Sequence, residues 1–289
     1  MDLEEKLTPE EKWERATIAN NFIFYKVMRN NTDVCKRLLE ILLEMEIDYI
    51  EMSAEEEINI DFQSKGIRLD VYAKNQKECF NVEMQATDTK ELPERARYYQ
   101  GVIDVDILKS GQTYKELKNS YIIFICIEDI FKKGLAKYTF ENSCLESPEI
   151  KLNDRAYKYF FIAKNSDKIL NEEQKAFLQL VINKKGTDSF TKQIEKLAEE
   201  AKSNLQWKRQ YMEWERQRVY DFEAGREKGL AQGLEKGLAE GLSQKAIEDA
   251  SNLLKMNLGT PEQIAQAVSL PLEQILELSK KLQNQKVTP

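Results

Sequence analysis

The chain contains no histidine in 289 residues. That absence excludes Ser-His-Asp and Cys-His nucleophilic catalysis, histidine general bases and histidine-ligated zinc. Any hydrolytic chemistry has to run on carboxylates, lysines, tyrosines and a hard metal ion. Cysteine is also scarce. Cys35, Cys79, Cys126 and Cys144 form no CxxC pair and sit mostly in apolar surroundings. Free buried thiols in a reducing cytosol are expected, not a zinc knuckle or a disulfide framework. No apolar run approaches a membrane span, since the longest, YIIFICI at 121–127, has the length of a strand. The segment MDLEEKLTPEEKWERA at 1–16 is charged and lacks an apolar stretch, so a secretory signal is not expected. The net charge of −7 argues against a broadly basic nucleic-acid coat. It leaves room for a local basic groove, because a metal site built of acids adds negative charge of its own.

What is present reads first as helix. Residues 8–46 carry an apolar face of Ile18, Phe22, Tyr25 and Val27/Met28. After a break at Asn30-Asn31-Thr32-Asp33 a second helix runs through Val34, Leu38, Leu39, Leu42 and Leu43, with the break expected to supply its cap. Three alternating segments follow, EINIDF, IRLDVY and CFNVEMQ, separated by SKG and KNQK. They predict an antiparallel meander. A helix is expected over 91–109, ended by Ser110-Gly111, and YIIFICI then predicts a strand buried on both faces. KYTFEN and YKYFFIA predict two more strands. The order makes an α/β sandwich with a mixed sheet.

Alternation sets Asp70 and Glu83 opposite their apolar neighbours. If the two strands pair, Asp61, Asp70, Glu83 and Gln85 share one face of the sheet. Two close carboxylates repel unless a cation lies between them, and Mg²⁺ needs only one or two carboxylates plus waters and a phosphate. Such a pair is chemically sufficient for phosphodiester hydrolysis. Alternation alone also describes a meander that turns its polar side to water.

The segments GIRLDVY, FNVEMQ, RARYYQGVIDVDILKSGQTYKELKNSYIIFI and YTFENSC, taken in order, resemble the PD-(D/E)XK nuclease superfamily. More narrowly they resemble its bacterial recombination-promoting nuclease and transposase family. The resemblance covers about 14–165 and implies a restriction-endonuclease-like αβββαβ core with a mostly helical C-terminal extension. It also implies Mg²⁺- or Mn²⁺-dependent cleavage of double-stranded DNA in the cytoplasm. Carried over by position, Asp70 and Glu83 become the metal-holding catalytic acids. Gln85 stands where the superfamily usually has lysine, as it does in a glutamine-bearing subset, and Asn21 stands where related sequences often carry an acid. Lys26, Lys65 and Arg68 are candidates for the missing positive charge. Arg95 and Arg97, beside Tyr98 and Tyr99, read either as a phosphate clamp or as solvated arginines on an ordinary amphipathic helix.

Composition divides the chain into a nuclease-like region at 1–170, a charged helical region at 171–250 and a small module at 251–289. WKRQYMEWERQR reads as a solvated, ion-paired helix. Glycine then recurs at 225, 229, 233, 237 and 241. Each costs a helix interior roughly 1 kcal/mol relative to alanine, so close packing against a second chain is one reading and a weak helical linker the other. The last module predicts two helices, with a Thr260/Gln263 capping box, Pro261 at the first position and a turn at Ser269-Leu270-Pro271. Its second helix offers few base-reading side chains, so a packing module fits as well as a helix-turn-helix. Two function classes follow: a metal-dependent DNA endonuclease of recombination or mobile elements, and an inactive nuclease-fold protein that binds DNA or assembles.

Overall fold

The computed structural model describes residues 7–52, 57–58, 67–86 and 90–285, with the backbone alone at 57–58, 67–68 and 283–285. Thr8 and Glu11 form a capping box that starts α1, Pro9–Arg15. Asn20 caps α2, Asn21–Asn30, by accepting from the Phe22 and Ile23 N–H groups. α3, Thr32–Leu43, follows after a break of one residue, Asn31. The expected cap is not made there. The Asn31 side chain turns back to donate to the Val27 carbonyl, closing the end of α2 and leaving the start of α3 uncapped.

Among the described residues the strands are β1 Glu51–Met52, β2 Glu57–Ile58, β3 Ile67–Arg68, β4 Val71–Lys74, β5 Glu78–Gln85, β6 Asn119–Cys126, β7 Lys137–Phe140 and β8 Ala156–Ile162. Six of them form a mixed sheet in the order β1-β4-β5-β6-β8-β7, and β2 pairs with β3 apart from it. The expected continuous strand IRLDVY is therefore interrupted. Its first two residues pair with Glu57–Ile58, and Val71–Lys74 pair with β5. Leu69 packs in the same cluster as Tyr72, while Val71 faces the opposite core, so strict alternation fails at Asp70. The β4–β5 hairpin turns at Asn75, whose Oδ1 accepts from the Lys77 and Glu78 N–H groups.

Both faces of the sheet are covered. On one face Val71, Phe80, Val82, Met84, Ile123 and Ile125 pack against apolar side chains of α2 and α3. On the other, Tyr72, Cys79, Ile122, Phe124 and Phe160 pack beneath α4, Leu92–Ile107, through its Leu92, Ala96, Tyr99 and Ile103. Three layers result. β6 is buried along its apolar run on both sides, as its composition predicts.

The first core does not stop near residue 170. α5, Glu172–Asn183, contributes Phe177, Leu178, Leu180 and Val181, and α6, Ser189–Ser203, contributes Ile194, Ala198 and Ala201. The buried Gln174 amide donates to the Ile41 and Leu42 carbonyls, which satisfies acceptors left over at the end of α3. α7 runs from Leu205 to Lys255. Its first turns, read from composition as solvated, instead bury Tyr211, whose ring lies 5.1 Å from that of Trp13. Bulky aromatics spaced at 207, 211 and 214 outweigh the charges between them, because they share one side of the helix.

By compactness the chain divides into residues 1–214 and 215–289. In the second unit α7 continues, exposed at every residue from 216 to 245. It is followed by α8, Pro261–Val268, and α9, Leu272–Gln285. The expected Thr260/Gln263 capping box is present, and Ser269 turns the chain in the left-handed region. Ala250, Ile264, Ala265 and Ile275 form a small core of their own. Among the described residues no helix is long and apolar enough to cross a membrane. Cys35, Cys79 and Cys126 are buried free thiols, and burial raises the Cys35 pKa to about 12.

Candidate active site

The hairpin register decides which side chains meet. Val71 pairs with Val82, so one further step sets Asp70 across from Glu83. There the regular ladder gives way to side-chain bonds. The Asp70 N–H donates to Glu83 Oε1 at 3.1 Å, and the Met84 N–H donates to Asp70 Oδ2 at 3.0 Å. Each carboxylate thus replaces a main-chain partner at the point where the strand breaks. Gln85 lies two residues beyond Glu83, on the same face.

Asp70 and Gln85 on this face are half-buried, and its centre is closed to water. Glu83 is 3 % exposed beneath α4. Taking an unpaired carboxylate out of water costs several kcal/mol, so its neighbours have to compensate. Arg95, near the start of α4, does much of this. Its Nη1 donates to Gln85 Oε1 at 3.0 Å, and its Nη2 reaches Tyr99 Oη at 3.0 Å and Glu83 Oε2 at 3.4 Å. The guanidinium also lies 5.4 Å above the Tyr99 ring and 5.7 Å from the Phe124 ring centre. Asn81, fully buried on the same face, adds an amide beside Glu83.

The compensation is incomplete. Burial and the Asp70 carboxylate push the Glu83 pKa well above the usual carboxylate range, against the opposing pull of the Asp70 N–H and Arg95. Burial likewise raises Tyr99, with Glu83 adding to it. Burial works against the charge on Arg95, but Tyr99, Glu83 and Asp70 more than offset it and keep the guanidinium charged. The site is thus short of positive charge. Two hard carboxylate oxygens that repel one another suit a small divalent cation that keeps its own waters. Among the described residues no group of three acidic or thiol ligands occurs, so two carboxylates are the donors available there.

Not every residue singled out in the sequence converges here. Asn21 opens α2, and its Oδ1 accepts from the Phe22 N–H; it makes no bond to Asp70, Glu83 or Gln85. Lys26 places its ammonium over the rings of Phe22, Tyr25 and Trp207 at 5.2, 5.1 and 6.0 Å. Arg68 belongs to β3, outside the sheet that bears the acids, and only its backbone is described. Arg97 is exposed, two residues and so about 200° around α4 from Arg95. Asp61 and Lys65 lie outside the described residues. The sequence left Arg95, beside Tyr99, balanced between clamp and solvated surface. The available signal was their spacing of four on one helix face, directly after the strand that carries Glu83 and Gln85.

Neither a curated protein nor a solved structure shows a significant match to the chain. A family model described as PD-(D/E)XK nuclease family transposase matches residues 19–227, which include both acids, the hairpin, α4 and β6. With the mixed six-stranded sheet sandwiched between helices and the paired carboxylates at the break before β4, the chain belongs to the PD-(D/E)XK nuclease family of transposases.

Proposed function

We propose that the protein is a divalent-metal-dependent endonuclease that hydrolyses phosphodiester bonds of double-stranded DNA in the cytoplasm, in recombination or the processing of mobile elements. The observation that carries this reading is the reciprocal bonding of Asp70 and Glu83 across the hairpin, in a buried setting that raises the Glu83 pKa. Asp70 and Glu83 would hold Mg²⁺ or Mn²⁺, which when bound polarises a phosphate and acidifies water. Arg95 orients Gln85. Its guanidinium takes up Oε1, so Nε2 becomes the donating end of the amide. Gln85 is then built to donate to a phosphate oxygen or to a water lone pair, not to remove a proton. The cationic role usually given to lysine at this place passes to Arg95, which brings a permanent charge to the same point from α4. Plasmid nicking with Mg²⁺ or Mn²⁺ tests the reading: wild type nicks, while Asp70→Ala and Glu83→Ala do not. Equal cleavage by all three proteins sinks the assigned site.

A second reading, an inactive nuclease-fold protein that binds DNA or assembles, is favoured by Gln85 and by Asn21, neither of which supplies charge. Duplex binding without nicking in either metal would decide for it.

We further propose that two chains associate through α7. Leu230, Leu234, Leu238 and Leu242 are 59–75 % exposed, and an added Cβ at Gly229, Gly233, Gly237 or Gly241 would meet nothing within 4 Å. The leucines form a ridge along an i±4n row, and the glycines form a groove in the neighbouring row. Ridges and grooves of this inclination interdigitate between two copies of one helix.

A further inference from the structure

The edge of the sheet that bears Gln85 extends past the acid pair. β5, β6 and β8 run parallel, so their C-terminal ends lie along one edge. The ladder continues beyond the strands: the Ile127 N–H donates to the Gln85 carbonyl at 3.2 Å, and the Lys164 N–H donates to the Ile127 carbonyl at 3.2 Å. The loop after β6, residues 128–134, therefore begins beside Gln85. It also lies on the layer that holds Glu83, since Ile130 and Phe131 pack against the core beneath α4. A row of rings joins the two places. Phe124, under the Arg95 guanidinium, stacks on Phe160 at 5.3 Å, and Phe131 meets Phe160 edge-on at 5.1 Å.

This loop is held in one shape. The Asp129 carboxylate accepts from the N–H groups of Phe131, Lys132 and Gly134 at 3.1, 3.1 and 2.7 Å, and from the Tyr138 hydroxyl at 2.9 Å. Lys132 and Gly134 take left-handed backbone angles, φ 54° and 75°, which make the turn tight. The braced turn presents Lys132 and Lys133 to solvent. Neither lysine has a carboxylate partner among the described residues, whereas Glu128 at the loop's base is ion-paired with Lys164. These two adjacent cations sit on a rigid turn that begins beside Gln85.

We propose that residues 128–134 dock the sugar–phosphate backbone of duplex DNA beside the bond to be cut, with Lys132 and Lys133 each neutralising one phosphate. The inference rests on the DNA-nuclease reading above. Strands are spaced about 4.8 Å apart, so the β8 side of the loop stands roughly 10 Å from β5. That distance is about three steps of 3.4 Å along a duplex. The loop thus meets the backbone about three nucleotides from the scissile phosphate, not at it.

The test is binding of a fluorescein-labelled duplex to the full chain in EDTA, by anisotropy, across a series of KCl concentrations. In Lys132→Gln/Lys133→Gln, affinity falls roughly tenfold and the slope of log K against log salt shrinks by about two. Lys132→Arg/Lys133→Arg restores both. Lys192→Gln/Lys196→Gln changes net charge equally, on α6, whose core residues pack with the opposite layer, and leaves the slope as in wild type. An unchanged slope in the loop variant, or an equal loss in the α6 variant, overturns the loop assignment alone. Failure of wild type to bind duplex at any salt concentration overturns the DNA reading and this inference together.

Discussion

At the scale of single residues, Arg95 carries the burden that the sequence motif leaves unfilled. Removing one preorganised donor from a site where charge develops typically costs 10²- to 10³-fold in rate, and Arg95→Ala is expected to slow nicking by about 10²-fold. Arg95→Lys recovers only part of this, because an ammonium keeps the charge but loses the fork that spans Gln85, Glu83 and Tyr99. Nicking rates at saturating metal check both. Full activity in Arg95→Ala would remove it from the chemistry.

Glu83 supports a stability prediction of opposite sign. Its pKa is raised in the fold, so the native state holds that proton more tightly than the unfolded chain does. The stability it contributes is complete below the ordinary carboxylate pKa and is lost as pH rises toward the folded value. In EDTA at neutral pH, Glu83→Gln therefore melts above wild type, and the decline of wild-type melting temperature above the ordinary carboxylate range is reduced in the variant. Mg²⁺ then raises the melting temperature of wild type and not of Glu83→Gln. Thermal melts over a pH series, with and without metal, give the answer; identical profiles would show that Glu83 is not strained.

At the scale of elements, α7 sets intrinsic propensity against association. Alanine for glycine favours an isolated helix by about 1 kcal/mol per site. Gly233→Ala/Gly237→Ala should accordingly raise helicity if the exposed stretch acts alone. For the proposed pair of chains the added methyl groups fill the groove that receives the leucines. The double variant then sediments at lower mass than wild type despite its better helix former. Tighter association of the variant would refute the ridge-and-groove contact.

α4 shows what an element contributes beyond its own pattern. Its apolar positions, Leu92, Ala96, Tyr99 and Ile103, were legible by spacing, and so was its place after β5. Spacing did not show that the same helix would cover Glu83 and bring Arg95 into bonding distance. Alternation in CFNVEMQ also read as a half-exposed strand, yet all of Cys79–Met84 is buried. Glu83 sits on a covered face here with Arg95 of another element as its partner.

At the scale of the whole molecule, the first unit needs α5, α6 and the start of α7. A chain ending at residue 214 should keep one cooperative thermal transition. A chain ending at 170 uncovers the sheet-side partners of Phe177, Leu178, Leu180 and Val181 and should not fold cooperatively. Calorimetry of the two truncations tests this, and a cooperative melt of the shorter chain would return the boundary to the place where the composition changes.

The sequence by itself determined the main run of helices and strands, the hairpin that carries Asp70 and Glu83, the strand buried along YIIFICI and the Thr260/Gln263 cap of α8. These depend on neighbours a few residues apart, through periodicity and turn chemistry. Only the tertiary structure decided that IRLDVY breaks at Asp70, that Glu83 lies beneath α4, and that Arg95 and not the exposed Arg97 meets Glu83. Periodicity states which side chains share a face. What covers that face, and so whether a carboxylate there is solvated or held for chemistry, depends on residues distant in the chain.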